Sequence, residues 1–149
     1  MGVIVVGSIV FRKNKESYEF LLLKRVEEQG GFWQYVIGKL ENEDESLLDG
    51  CFREIKEEVS IDKSDILNVI EDVHCFEMDK HYLTGEPIDI IKEYVFGFEV
   101  DLKVKPTLDN ALELEHKEIK WVNYETALKL LRWQNNKDAF VKLYHMLQN

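Results

Sequence analysis

The amino-acid sequence predicts an α/β or α+β layered domain with a mixed β-sheet, and three observations carry that prediction. β-Branched apolar runs recur along the chain. Helical patterns fall between and after them, in the order strands, helix, strands, helices. No linker, repeat or low-complexity segment interrupts that order. At 149 residues the chain is long enough to bury a core and is read as one domain, 1–149.

Val3–Phe11 is rich in β-branched residues and reads as a buried strand. The polar stretch Arg12–Ser17 is a turn and Tyr18–Lys24 a second strand, so the pair predicts a hairpin. Glu27–Gly31 reads as a loop, Phe32–Ile37 as a short extended piece, and Gly38–Glu45 as a charged loop. A helix is expected over Ser46–Val59. Strands are expected at Ile66–Met78 and Ile88–Val100, around turn chemistry at His81–Pro87. Lys117–Val122 is a further strand, and Glu125–Arg132 and Lys137–Leu147 have helical spacing.

Composition excludes several function classes. With 45% hydrophobic and 32% charged residues the chain reads as a soluble globular protein. The 29 acidic against 19 basic residues give a net charge of −10, which repels a polyanionic backbone. Polymeric nucleic acid is therefore not an expected partner, whereas a small phosphorylated ligand is, provided cations accompany it. Cys51 and Cys75 show neither a C-x-x-C spacing nor a disulfide framework, and read as buried thiols in a reducing compartment. The apolar N-terminal stretch lacks a basic flank and a small-residue cleavage site, and no apolar run approaches membrane-spanning length. The expected location is cytoplasmic, with no membrane partner.

The helix over Ser46–Val59 carries the chemistry. Leu48, Cys51, Phe52, Ile55 and Val59 form one apolar stripe at helical spacing. Glu54, Glu57 and Glu58 share another face, at i, i+3 and i+4. Like charges at these spacings cost roughly 0.2–0.5 kcal/mol a pair, and the C-terminal half of a helix disfavours anions. A hard divalent cation would offset both costs, since Mg²⁺ prefers oxygen ligands and shares them with phosphates. The helix alone is equally compatible with a solvated acidic face.

The surrounding spacing decides between them. Lys39 is followed after five residues by Glu45, and after seven more by Arg53-Glu54-Ile55, then Glu57-Glu58, Ser60 and Ile61. This resembles the Nudix box, Gly-x5-Glu-x7-Arg-Glu-U-x-Glu-Glu-x-Gly-U, where U is a bulky aliphatic residue. Seven of its nine specified positions match; Lys39 and Ser60 stand where the box has glycine, and Gly38 immediately precedes the first departure.

The resemblance implies the Nudix fold, an α/β/α sandwich around a mixed sheet, and hydrolysis of a nucleoside diphosphate linked to another group. It implies that Glu54, Glu57 and Glu58 bind Mg²⁺, with Mn²⁺ as the alternative, helped by the Gly38 carbonyl. Arg53 would pair with Glu45 and hold the loop against the helix. Beyond the box, Phe32–Gly38, the His81-Tyr82 loop, Glu115-His116-Lys117 before Trp121, and Arg132–Asn135 look like bacterial dihydroneopterin triphosphate pyrophosphatases, which also accept dATP. That likeness makes Glu115 an additional metal ligand and Arg25 a substrate contact.

Arg25, Trp33, Lys39 and Arg132 are the substrate-binding candidates. Trp33 and Trp121 are alternatively core residues, Lys24 and Arg25 surface charges, Glu115 a solvated carboxylate, and His116 a solvent-facing side chain or a ring donor near substrate. The expected reaction converts a nucleoside triphosphate or dihydroneopterin triphosphate to the monophosphate and pyrophosphate. The competing readings are another nucleoside-diphosphate substrate and a non-catalytic nucleotide-binding module. Enzymes of this family and size often form homodimers, although no interface is visible in the sequence.

Overall fold

The computed structural model describes residues 2–148. Seven strands, β1 (Val3–Asn14), β2 (Ser17–Arg25), β3 (Trp33–Gln34), β4 (Val36–Lys39), β5 (Ile66–Lys80), β6 (Pro87–Val100) and β7 (His116–Val122), form one sheet. Three helices, α1 (Leu47–Val59), α2 (Tyr124–Leu130) and α3 (Gln134–Gln148), cover it. The main path of strand order is β3-β2-β1-β6-β5, with β4 paired to β1 and β7 to β2. β1 and β6 run parallel and the other pairs antiparallel, so the sheet is mixed as the sequence predicts.

Two apolar layers make it an α/β/α sandwich. On one face Cys51, Ile55 and Val59 of α1 pack with Val6, Val10, Leu21 and Phe98. On the other, Ala127 of α2 and Ala139, Phe140 and Leu143 of α3 pack with Ile9, Phe11, Phe20 and Leu22. The alternation along β1 and β2 sends successive side chains to opposite layers, which is why both strands are apolar almost throughout.

The departures from the sequence reading are local. The first turn is shorter than Arg12–Ser17, because β1 and β2 continue their pairing as far as Asn14 and Ser17. β4 takes Gly38 and Lys39 out of the expected loop, pairing them with Val6 and Val5. Ser46 is the N-cap of α1, its hydroxyl oxygen accepting from the Asp49 N–H at 3.0 Å. Cys51 is buried, but Cys75 is exposed on β5. Among the described residues no helix is long and apolar enough to cross a membrane.

Ser60 ends α1 in the left-handed conformation, φ 59° and ψ 36°, and its N–H donates to the Lys56 carbonyl. A non-glycine residue in that region costs roughly 1 kcal/mol or more. Ser60→Gly is therefore expected to raise the melting temperature by about 2–4 °C, and the β-branched Ser60→Val to lower it, in thermal denaturation.

Candidate active site

The site is organised by one guanidinium. Arg53 on α1 uses all five of its N–H donors. Nε and Nη2 grip the two oxygens of Asp44 at 2.9 Å each, and Nη2 also donates to the Lys39 carbonyl at 2.9 Å. Nη1 donates to Glu54 Oε1 and Glu57 Oε2, again at 2.9 Å each. The loop 40–46 and the end of β4 are thereby fixed against the acidic face of α1. The fork of Arg53 holds the Asp44 carboxyl below its ordinary value.

Glu54 lies against β4, where a Cβ on residue 38 would collide with its carboxylate, so Gly38 is what admits it. Burial pushes the Glu54 carboxyl up to about 7, against the downward pull of Arg53, and the charges of Glu57 and Glu58 push it the same way as burial. A carboxylate so placed stays charged most easily with a cation beside it.

Glu58 belongs to a second group. Its carboxylate, the Glu115 carboxylate and His116 offer ligand atoms all within 4.8 Å of one another. His116 is buried, with 3% exposure, on β7. Its Nε2 sits 2.9 Å from the Gln34 amide nitrogen. An amide nitrogen only donates, so Nε2 accepts and the ring proton lies on Nδ1. Nδ1 faces Glu58 Oε2 at 3.3 Å without closing a hydrogen bond, and both atoms are buried and unsatisfied. Burial, then the Glu58 charge, pushes the Glu115 carboxyl up. Arg25 approaches Glu115 at 4.0 Å and bonds to Gln29, yet its buried Nε has no partner among the described residues.

Beside this group opens a cavity of about 400 Å³, on the sheet face opposite α1. Phe32, Phe76, Met78, Tyr82 and Trp133 form apolar walls, and Arg25, Gln34, Glu93 and Asn136 supply polar atoms. Glu93 accepts from the Tyr35 hydroxyl at 2.6 Å, and that hydroxyl accepts from the Asn136 amide at 3.0 Å. A Cβ on Gly7 would lie 2.6 Å from the Tyr35 ring and 2.8 Å from Glu93 Oε2, so this network can cross β1 only at a glycine.

The NUDIX domain family model matches residues 1–144. Dihydroneopterin triphosphate diphosphatase of Haemophilus influenzae is 32% identical over 133 residues, covering 86% of this chain and 80% of the relative. The chain belongs to the Nudix family. A Listeria monocytogenes structure assigned as a NUDIX hydrolase superposes with a TM-score of 0.79 at 29% identity, covering 98% of this chain and 94% of the other. The C. elegans Ap4A hydrolase superposes at 0.77, with 98% of both chains covered; at 23% identity that likeness is one of fold. The chain is thus a Nudix pyrophosphohydrolase, and its likeness to the dihydroneopterin triphosphate enzymes extends through most of its length.

In this Nudix site the sequence-predicted residues divide. Glu58 and Glu115 come together, and with them His116, which the sequence left between a solvent-facing side chain and a ring donor; it is buried. Glu54 and Glu57 are joined through Arg53. The expected Arg53–Glu45 pair is corrected to Arg53–Asp44. The Asp44 carboxylate also accepts from the Glu41 N–H at 2.8 Å and so turns inward, whereas Glu45 is exposed beside the N-cap.

Trp33 does not line the cavity: its half-buried ring packs against the core beside α2 and α3, with the Lys120 ammonium 4.7 Å and the Lys24 ammonium 5.9 Å from its centroid, whereas Phe32 and Gln34 line the cavity. Trp121 packs against the α1-side core, under the Arg12 guanidinium. Lys39 is exposed and contributes its carbonyl to Arg53. Arg132 is exposed too, its guanidinium 5.6 Å from the Phe32 ring and 5.5 Å from Trp133. Asp44, Glu93 and Asn136 escaped the sequence reading because nothing in their spacing marks them.

Burial pushes the Glu93 carboxyl up to about 7 from its ordinary 4.5, opposed by the Tyr35 bond. Its contribution to stability is complete below the unfolded value and is lost as pH rises through about 7. Urea melts should show wild type losing on the order of 2–3 kcal/mol relative to Glu93→Gln between about pH 5 and about pH 8. Parallel pH profiles of the two proteins would contradict the assignment.

Proposed function

We propose that this chain is a Mg²⁺-dependent pyrophosphohydrolase that cleaves a nucleoside or pterin triphosphate between its α and β phosphorus, giving the monophosphate and pyrophosphate. The observation that carries the reading is the sharing of residues between two places. Arg25 and Gln34 line the cavity, and each also reaches the Glu58–Glu115–His116 group, Arg25 by its 4.0 Å approach to Glu115 and Gln34 by its contact with His116. A planar ring in the aromatic-walled cavity would place its phosphates past Arg25 and over the carboxylates.

The residues fit a divalent cation. Glu58 Oε2 is a buried carboxylate oxygen with no hydrogen-bond partner among the described residues, and Gly38 leaves the Glu54 carboxylate room that any side chain would fill. Glu54, Glu57, Glu58 and Glu115 would hold it, together with the Gly38 carbonyl, in an oxygen-rich set suited to Mg²⁺. A bound cation supplies positive charge to the pyrophosphate and lowers the pKa of the water that attacks phosphorus. The chain's own contribution is positioning: Arg53 fixes Glu54 and Glu57, His116 Nδ1 faces Glu58 Oε2 at 3.3 Å, and the Arg25 Nε, unsatisfied among the described residues, offers a donor to a phosphate oxygen. The name of the Haemophilus influenzae relative supports a pterin triphosphate as the first substrate to try.

Dihydroneopterin triphosphate, the dNTPs, diadenosine tetraphosphate and ADP-ribose, each incubated with Mg²⁺, test the reading. Release of pyrophosphate from a triphosphate is the expected outcome; retained binding without turnover of any of them would replace it with a nucleotide-binding module. Glu57→Gln and Glu58→Gln are expected to lose roughly 10²-fold or more in kcat while circular dichroism stays that of the wild type. Wild-type kinetics in both variants would remove these carboxylates from the site.

A further inference from the structure

The cavity floor holds a buried acid for which phosphate hydrolysis has no use. Glu93 is 3% exposed, lines the cavity and lies on the sheet face opposite the acidic helix. A carboxyl group buried in an aromatic-walled pocket is costly unless it is bonded. Among the described residues one of its oxygens is satisfied, Oε2, by Tyr35. Among the described residues Oε1 has no partner.

The network fixes what the floor offers. Tyr35 gives its only proton to Glu93, so the group that Tyr35 accepts from must be a donor, and Asn136 presents its amide nitrogen. That orientation leaves Asn136 Oδ1, like Glu93 Oε1, as an acceptor without a partner among the described residues. Both residues line the cavity. With Glu93 ionised, these are two acceptors on one floor, and they call for a ligand edge that carries neighbouring N–H donors.

Resting on the triphosphate reading, we propose that Glu93, oriented by Tyr35 and Asn136, selects the heterocycle by accepting from a 2-amino-4-oxopyrimidine edge, the ring N–H and exocyclic amine shared by pterins and guanine. The adenine edge offers an amine beside a bare ring nitrogen, which would set a lone pair against these acceptors. A site built to bond a donor rejects a ligand lacking it far more strongly than an apolar pocket rejects a change of size. Phe32 and Trp133 supply ring faces but no discrimination, since every heterocycle has a face to stack.

The test compares wild type with Glu93→Gln, whose amide keeps the size and can still accept from Tyr35 but turns a donor toward the ligand. Steady-state kinetics on the alkaline side of Glu93 ionisation, with dihydroneopterin triphosphate, dGTP and dATP, should show wild type favouring the first two. In the variant kcat/KM for those two should fall about 10²-fold or more, chiefly through KM, and for dATP by less than about tenfold. Comparing the first two substrates separates a pterin from a guanine preference. An equal fall for all three substrates, or no change, would make Glu93 a purely structural member of the Tyr35–Asn136 network and overturn the proposal. Calorimetry with neopterin, guanosine and adenosine reads the same edge without phosphates or turnover, and on the wild type alone. Tighter neopterin or guanosine binding supports the proposal even if no triphosphate is hydrolysed; adenosine bound as tightly as both contradicts it even if all are.

Discussion

The geometry of the acidic site depends on the five-way hydrogen bonding of Arg53. Three glutamates within five residues of one helix repel one another, and at the C-terminal end of α1 the helix dipole adds to the repulsion. Arg53 places one fixed positive charge between Glu54 and Glu57 and anchors its other donors on Asp44 and the Lys39 carbonyl. The planar fork makes this a rigid joint between β4, the loop and α1, which a lysine ammonium with three donors could not reproduce. Gly38 completes the joint by letting Glu54 approach β4 without a Cβ between them.

The sheet then divides the labour. Residues of β1 alternate between two layers, so Val6 faces α1 while Val5 and Gly7 face the cavity side. The acidic helix packs on one face and the aromatic cavity opens on the other. Gln34 and Arg25, at the end of β3 and of β2, connect them around the sheet. A ligand with a ring at one end and phosphates at the other matches that division, and the fold supplies each end independently.

Much of this was legible in the sequence, for physical reasons that also mark its limits. The stripe of Leu48, Cys51, Phe52, Ile55 and Val59 and the spacing from Lys39 to Ile61 are local patterns, and both the helix and its packing face follow from them. Segments matched to the dihydroneopterin triphosphate enzymes supplied Phe32, Gln34, Tyr82 and Trp133, which the fold gathers into one cavity wall. Partner choice was less legible. Asp44 and Glu45 are adjacent carboxylates, and only the loop's own hydrogen bond to Glu41 turns the first inward. Trp33 and Trp133 are equally suited to stacking by residue type, but Trp33 packs against the core beside α2 and α3, beneath two lysines, while Trp133 lines the cavity. Glu93 sits in no motif and His116 only in a short matched segment that leaves its role open; their significance arises from burial beside groups that are distant in sequence, Glu58 and Gln34 for His116 and Tyr35 for Glu93. The two lost box glycines fall where the chain has other means: Gly38 supplies the close approach, and Ser60 adopts the left-handed cap itself.

Binding of Mn²⁺, a spectroscopic substitute for Mg²⁺, measured by electron paramagnetic resonance for wild type and Arg53→Lys, tests the account most directly. Arg53 is not itself a ligand, so a change in affinity reads its positioning of the carboxylates alone. The account predicts that Arg53→Lys keeps the fold, as judged by circular dichroism, and binds Mn²⁺ roughly tenfold or more weakly. A folded Arg53→Lys protein with wild-type Mn²⁺ affinity would contradict it.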